Sequence, residues 1–207
     1  DPSDKEMFQW TGTRSAPVAM YNEEAPRNGW ADILLLAERL SPEPALLPKE
    51  ARLRAQALGL CFEICGEMGL GWSRRLDSVH KGLQGQPGFP LPVAQYLASK
   101  YGYHAEQAAE YKQRVIDLLG MLADMLHEQA EKGQPYYLAD SLTAVDIYSA
   151  TFMAPFKPLP QEQCPMFPPI RSAFESLDDD IANALDPILI KHRDFIYAEF
   201  LELPLSL

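Results

Sequence analysis

Cys61 and Cys65 stand four residues apart in a helical pattern, so their thiols share one helix face. A thiol pair there could hold a metal ion or form a redox couple. Neither chemistry gains support from the neighbours. No second Cys pair or His partner accompanies them, and C-x-x-x-C is not the usual redox spacing. The expectation is therefore buried or cleft-lining thiols. His80, His104, His127 and His192 are scattered, with no two at metal-ligand spacing, and read as surface or ordinary helix residues. Arg74 and Arg75 follow Trp72 and could steer an anionic ligand. A solvated helix end is the simpler reading of the two cations.

The most informative chemistry-bearing pair is Thr143 and Asp146, within LTAVDIYSATF. The hydroxyl residue sits three positions before the carboxylate and just ahead of an apolar run, the pattern of a helix capping box. The Thr143 hydroxyl can accept from the Asp146 N–H, and the carboxylate can reach back to the Thr143 N–H. Leu142 and Ile147 occupy the positions of a hydrophobic staple. The spacing predicts a buried helix with Ala144, Ile147, Tyr148, Thr151 and Phe152 on one face. The role expected of Thr143 and Asp146 is structural. The rejected alternative is a catalytic aspartate. His192-Arg193-Asp194 spells a kinase catalytic tripeptide, but the accompanying glycine-rich loop and later Asn are missing, and the tripeptide lies in a helical pattern.

These residues need elements to hold them. Ala16 to Tyr21 reads as a short strand with Pro17 near its start. A second short strand could lie within Asn22 to Asn28. Trp30, Ile33, Leu34 and Ala37 follow helical spacing with Asn28 as N-cap, and Ser41-Pro42-Glu43-Pro44 stops that helix. Beyond Leu47-Pro48 the pattern becomes helical throughout. One long helix is predicted over 50–80, a short one over 93–100 and a longer one over 105–132. The Thr143 helix follows, then a proline-rich connection, and two more helices over 170–177 and 187–200. The expected organisation is a small strand-and-helix piece, residues 1–44, joined to an all-helical piece, residues 45–207.

Composition narrows the function classes. The chain has 207 residues, 47% of them hydrophobic, enough for a sizeable core. Its net charge of −11 offers no basic stripe for nucleic acid. No apolar run approaches the roughly 18 residues of a membrane span. The opening DPSDKE is polar, unlike a signal peptide, and the chain reads as a fragment or processed form. Three cysteines in no framework pattern suit a reducing cytoplasm.

Three blocks together resemble the cytosolic glutathione S-transferase family. Arg14-Ser15-Ala16-Pro17-Val18 is similar to the strand of the thioredoxin-like domain that opens with a cis-proline. Trp30 to Leu40, followed by Pro42 and Leu46-Leu47-Pro48, resembles the third helix of that domain and its linker. Leu142-Thr143-Ala144-Val145-Asp146-Ile147 resembles the capping box and staple of the buried helix in the C-terminal domain. Each block is weak alone; order and spacing make the set specific.

The resemblance implies a fold: a partial thioredoxin-like α/β unit followed by an all-helical C-terminal domain. It implies glutathione as co-substrate, a small apolar electrophile as partner, a homodimer and a cytoplasmic protein, with no metal, nucleic acid or membrane. Pro17 and Val18 would hold the cysteinyl part of glutathione. At the start of the third helix the family carries an acidic residue and a Ser, which hold the γ-glutamyl carboxylate. Here Gly29 and Trp30 stand at those positions; the backbone amides and Asn28 remain as carboxylate binders. Cys61, Cys65, Met68 and Trp72 fall where the family lines its apolar-substrate cleft. The family's thiol-activating Tyr, Ser or Cys belongs to a strand-helix-strand opening. Sixteen residues precede Pro17, too few for three elements, so the catalytic residue is expected outside this chain. The alternatives are an inactive glutathione-transferase-like binding protein and a glutathione-dependent isomerase or dehalogenase.

Overall fold

A computed structural model describes residues 2–13 and 16–205, with side chains described from residue 5. The chain divides into two compact units, Asp1–Leu47 and Pro48–Leu207.

The first unit holds α1 (Pro2–Thr11), which the sequence reading left unassigned, and α2 (Trp30–Leu40). Thr11 ends α1 by turning its hydroxyl back onto the Met7 carbonyl at 2.7 Å. The expected strand at Ala16–Tyr21 reduces to one antiparallel bridge between Ala19 and Arg27. Two bonds make it, Ala19 N–H to Arg27 O at 2.8 Å and Arg27 N–H to Ala19 O at 3.0 Å. No sheet forms among the described residues. Glu24 closes the turn by pairing with both Arg27 and Arg39. The N-cap of α2 is Gly29 rather than Asn28, in extended conformation and with no side-chain cap. Its buried residues are Leu34 and Leu36, while Ala37, expected on the inner face, is exposed.

The second unit is helical. It comprises α3 (Ala51–Cys65), α4 (Leu70–Leu83), α5 (Leu91–Tyr101), a single 3-10 turn at Ala105–Gln107, α6 (Ala108–Glu131), α7 (Ala144–Phe152), α8 (Pro168–Glu175), α9 (Asp179–Ala184) and α10 (Pro187–Phe200). Glu50 starts α3 by accepting the Arg52 and Leu53 N–H groups at 2.8 and 2.7 Å. The single helix expected over 50–80 is broken at Gly66–Gly69. Met68 there adopts φ +56°, which a continuing helix forbids. A Cβ on Gly69 would lie 2.7 Å from the Glu63 carbonyl, so only glycine fits the turn. Periodicity misses this break because the apolar register resumes in α4 with Leu70, Leu76 and Val79 buried.

α7 lies against α3 and α10, and α4 against α5 and α6. The inner stripe of α7 is Val145, Asp146, Ser149 and Ala150 with Ala144, whereas Ile147, Tyr148, Thr151 and Phe152 are half-buried. The buried stripe is rotated from the expected face because Asp146 and Ser149 turn inward. Both are buried with partners of their own. No helix among the described residues is long and apolar enough to cross a membrane.

Candidate functional site

In the first unit, Pro17 is exposed and Val18 half-buried, and the Ala16–Pro17 bond is cis. Arg14 and Ser15 of the same block lie outside the described residues. Ala19 spends its backbone on the bridge to Arg27. Successive backbone groups of an extended chain point to opposite edges. Val18 thus presents its N–H and C=O to the other side, and neither has a partner among the described residues. That is a one-residue edge able to pair with an extended peptide.

The start of α2 differs from a free anion site. A Cβ on Gly29 would fall 3.1 Å from an Asp32 carboxylate oxygen. Asp32, in the first helical turn, therefore sets a negative charge beside the start of α2, where a ligand carboxylate would come. Asn28 is exposed, and Gly29 and Trp30 are half-buried.

In the second unit, Cys61 is fully buried and Cys65 half-buried on α3, and both are free thiols. Burial, with the Asp146 charge adding to it, pushes the Cys61 thiol up to about 12. Burial, with Cys61 adjoining, pushes Cys65 higher still. Neither offers a thiolate for chemistry. Met68 serves through its backbone: its carbonyl accepts from the Ser73 hydroxyl at 3.1 Å and Arg114 Nε at 3.2 Å. Trp72 stands edge-on to Tyr101, with ring centroids 5.1 Å apart. These four residues line none of the described cavities. The largest, about 730 Å³, lies around Lys157–Pro160, Arg171, Arg193 and Tyr197.

Arg74 is not at a solvated helix end. It is 1% exposed, and its guanidinium donates to Asp77 at 2.9 Å and to the Pro155 and Ser176 carbonyls at 3.1 and 2.9 Å. Burial pulls it below its ordinary value, and the adjacent Asp77 opposes this. Lys81 bridges Asp77 and Asp178, 2.8 Å from each. The group therefore ties α4 to the starts of two later segments instead of facing a ligand. Arg75 stacks over Tyr101, 4.4 Å from the ring centre.

Around Asp146 the structure adds two elements to the capping box. Asp146 is fully buried. One carboxylate oxygen takes the Thr143 N–H and hydroxyl, each at 2.8 Å. The other takes the Tyr137 N–H at 2.9 Å and His192 Nε2 at 3.1 Å. His192, read from the sequence as a surface or ordinary helix residue, is 5% exposed on α10, and Tyr137 packs edge-on to its ring. Ser149 is not a nucleophile served by this histidine, because its hydroxyl is engaged with Tyr137 Oη at 2.8 Å. A signal for His192 did exist. Leu189, His192, Arg193, Ile196 and Tyr197 follow a three-four spacing, which places the histidine on the inner stripe of α10. The other histidines are peripheral: His80 bonds Tyr103 Oη at 2.7 Å, His127 meets Asp186 at 3.0 Å, and His104 lies near Glu106. No group of three metal-ligating side chains occurs among the described residues.

No protein-family model, curated protein or solved structure matches the chain.

Proposed function

We propose that the chain is glutathione transferase-like and joins the glutathione thiolate to an apolar electrophile. The observation that carries this reading is the unpaired Val18 backbone beside Pro17. An N–H and a C=O on one residue can pair with both backbone groups of a cysteinyl residue, fixing its thiol with two hydrogen bonds. The reaction forms a sulfur–carbon bond as the electrophile releases its leaving group, or takes up a proton where it is an activated alkene. The chain's own part is to orient the thiol; a positioned hydrogen-bond donor beside the sulfur would lower its pKa. The buried Thr143–Asp146 box supports the same family reading through the helical unit.

A second reading has its own observation. Asp32 already sets a negative charge beside the start of α2, and Trp30 stands where the family carries a hydroxyl. A protein built so would bind a peptide edge without holding the γ-glutamyl carboxylate, and would act as a non-catalytic module. Titrating glutathione while following the Val18 amide by NMR tests both. A saturable shift at Val18, with retention on immobilised glutathione, supports the transferase-like reading. A silent Val18 amide and no retention would sink it. A response to an extended Cys-containing tripeptide but not to glutathione selects the second reading.

A further inference from the structure

A cavity of about 290 Å³ lies within the second unit, bordered by α4, the turn at Phe89, α5 and α8. The volume is at the small end for ligand pockets. Its apolar wall is Phe89, Val93, Leu97, Ile170 and Phe174, and the Phe89 and Phe174 rings meet edge to face, with centroids 6.2 Å apart. On the α4 side, Gly71, Arg75 and Ser78 follow a four-three spacing, so they share one stripe of that helix. Arg74 also borders the cavity, but Asp77 and two carbonyls already engage its guanidinium. Tyr96 is exposed and stands at the rim. No carboxylate lines this cavity, in a chain with 29 acidic residues.

Two polar groups on the α4 stripe are unspent. The Arg75 guanidinium lies over the Tyr101 ring, 4.4 Å from its centre. The ring attracts the charge but is no substitute for an oxygen acceptor. Among the described residues no carboxylate or carbonyl accepts from Arg75. Ser78 is 3% exposed, and its hydroxyl has no hydrogen-bond partner among the described residues. It does not even use the carbonyl four residues back, the usual recourse of a helical serine. His192 Nδ1 is the fully enclosed polar side-chain atom without a partner among those residues. The Ser78 oxygen is therefore not enclosed, and the free space that its residue borders is this cavity. A buried hydroxyl on an apolar wall, three helical residues from an unpaired cation, calls for an anionic acceptor that both can reach.

We infer that this cavity binds a small hydrophobic carboxylate, whose anionic head pairs with Arg75 and accepts from the Ser78 hydroxyl while its hydrocarbon body packs against Phe89, Leu97 and Phe174. Charge-assisted bonds fix the head, and burial of the body supplies the rest of the affinity. A neutral amide of the same shape meets the same wall but forms no ion pair with the guanidinium. Cys61, Cys65, Met68 and Trp72, which the family resemblance places on the electrophile cleft, do not line this cavity. The inference is thus independent of glutathione and concerns the second unit alone.

The test compares 2-naphthoate, ionised at neutral pH, with 2-naphthamide, which keeps the rings and loses the charge. Calorimetric titration of the intact chain is expected to show one saturable naphthoate site, with the amide weaker by about tenfold or more, the step that follows loss of a charge-assisted bond. On naphthoate addition the largest amide shifts by NMR should centre on Ser78, Val93 and Leu97. Arg75→Gln keeps a polar stem and loses the charge. It should fold normally by circular dichroism, bind naphthoate about tenfold or more weakly and bind the amide as before. Ser78→Ala should weaken naphthoate about threefold, the share of one neutral donor. The wild-type comparison and the shifts decide the matter even if a variant fails to fold. Equal affinity for the two compounds, no binding of either, shifts centred elsewhere, or undiminished naphthoate binding in a folded Arg75→Gln or Ser78→Ala protein overturns the assignment.

Discussion

Asp146 carries four hydrogen bonds at a position with no exposed surface. A capping residue alone is worth about 1 kcal/mol. Removing this one strands the Tyr137 and Thr143 amides, a hydroxyl and the His192 Nε2 hydrogen. Asp146→Ala is therefore expected to cost about 3–5 kcal/mol, since each buried donor left alone costs about 1–3 kcal/mol and some will find water. Urea denaturation measures it; a loss below about 1 kcal/mol would show that the site rehydrates freely. Asp32 invites the opposite experiment. Its carboxylate lies beside the start of α2, where a second carboxylate would be repelled. Asp32→Asn should tighten glutathione binding severalfold in a calorimetric titration, with at most about 0.5 kcal/mol lost from the helix. Unchanged affinity would place the γ-glutamyl group elsewhere.

At the scale of elements, the contact between α4 and α7 depends on an absent side chain. A Cβ on Gly71 would sit 2.1 Å from Phe152 Cε1. Phe152 is half-buried and its ring end can swing, so Gly71→Ala should destabilise by about 1–3 kcal/mol, the range for overpacking. Phe152→Leu in the same chain should return at least half of that, a coupling read from a double-mutant cycle by thermal denaturation. Additive losses would mean that the helices do not meet through this pair. Helix existence was legible wherever apolar spacing ran long, as in α6 and α10. Positions where two elements touch were not, because close approach selects small residues whose identity says nothing about their partner. The break between α3 and α4 belongs to the same class: its glycines are visible in the sequence, but not the carbonyls that crowd them.

Across the second unit, charge links segments far apart in sequence. Lys81 and Lys112 converge on Asp178, the N-cap of α9, whose carboxylate also takes the Ile181 N–H. Burial works to raise Asp178, but the Lys81 bond, the Ile181 amide and the two lysine charges outweigh it and hold the group at about 2, against a reference of 3.8. A carboxylate lowered on folding stabilises fully above its unfolded value and loses that stabilisation as pH falls toward the folded one. The window is thus pH 3.8 down to about 2. Allowing for partial exposure, the contribution is about 1–2 kcal/mol. Asp178→Asn should flatten the acid limb of a stability–pH curve in that window, and an unaltered limb would assign it to other carboxylates. Proton binding also relieves the net charge of −11, so the variant comparison, rather than the wild-type curve, isolates Asp178.

The sequence by itself determined what local chemistry can encode. The Thr143–Asp146 box needs only a hydroxyl and a carboxylate three residues apart before an apolar run, and the helical period of residues 187–200 marks α10 end to end. Tertiary structure decided which polar residues went inside. Arg74 and His192 look like surface residues because their partners, the Pro155 and Ser176 carbonyls for one and Asp146 for the other, lie 46 to 102 positions away. Burying such groups is unfavourable until those partners arrive, and only the folded chain brings them. The same holds for the unpaired Nδ1 of His192, which follows from packing α10 against α7 and the end of α6, and from no short motif.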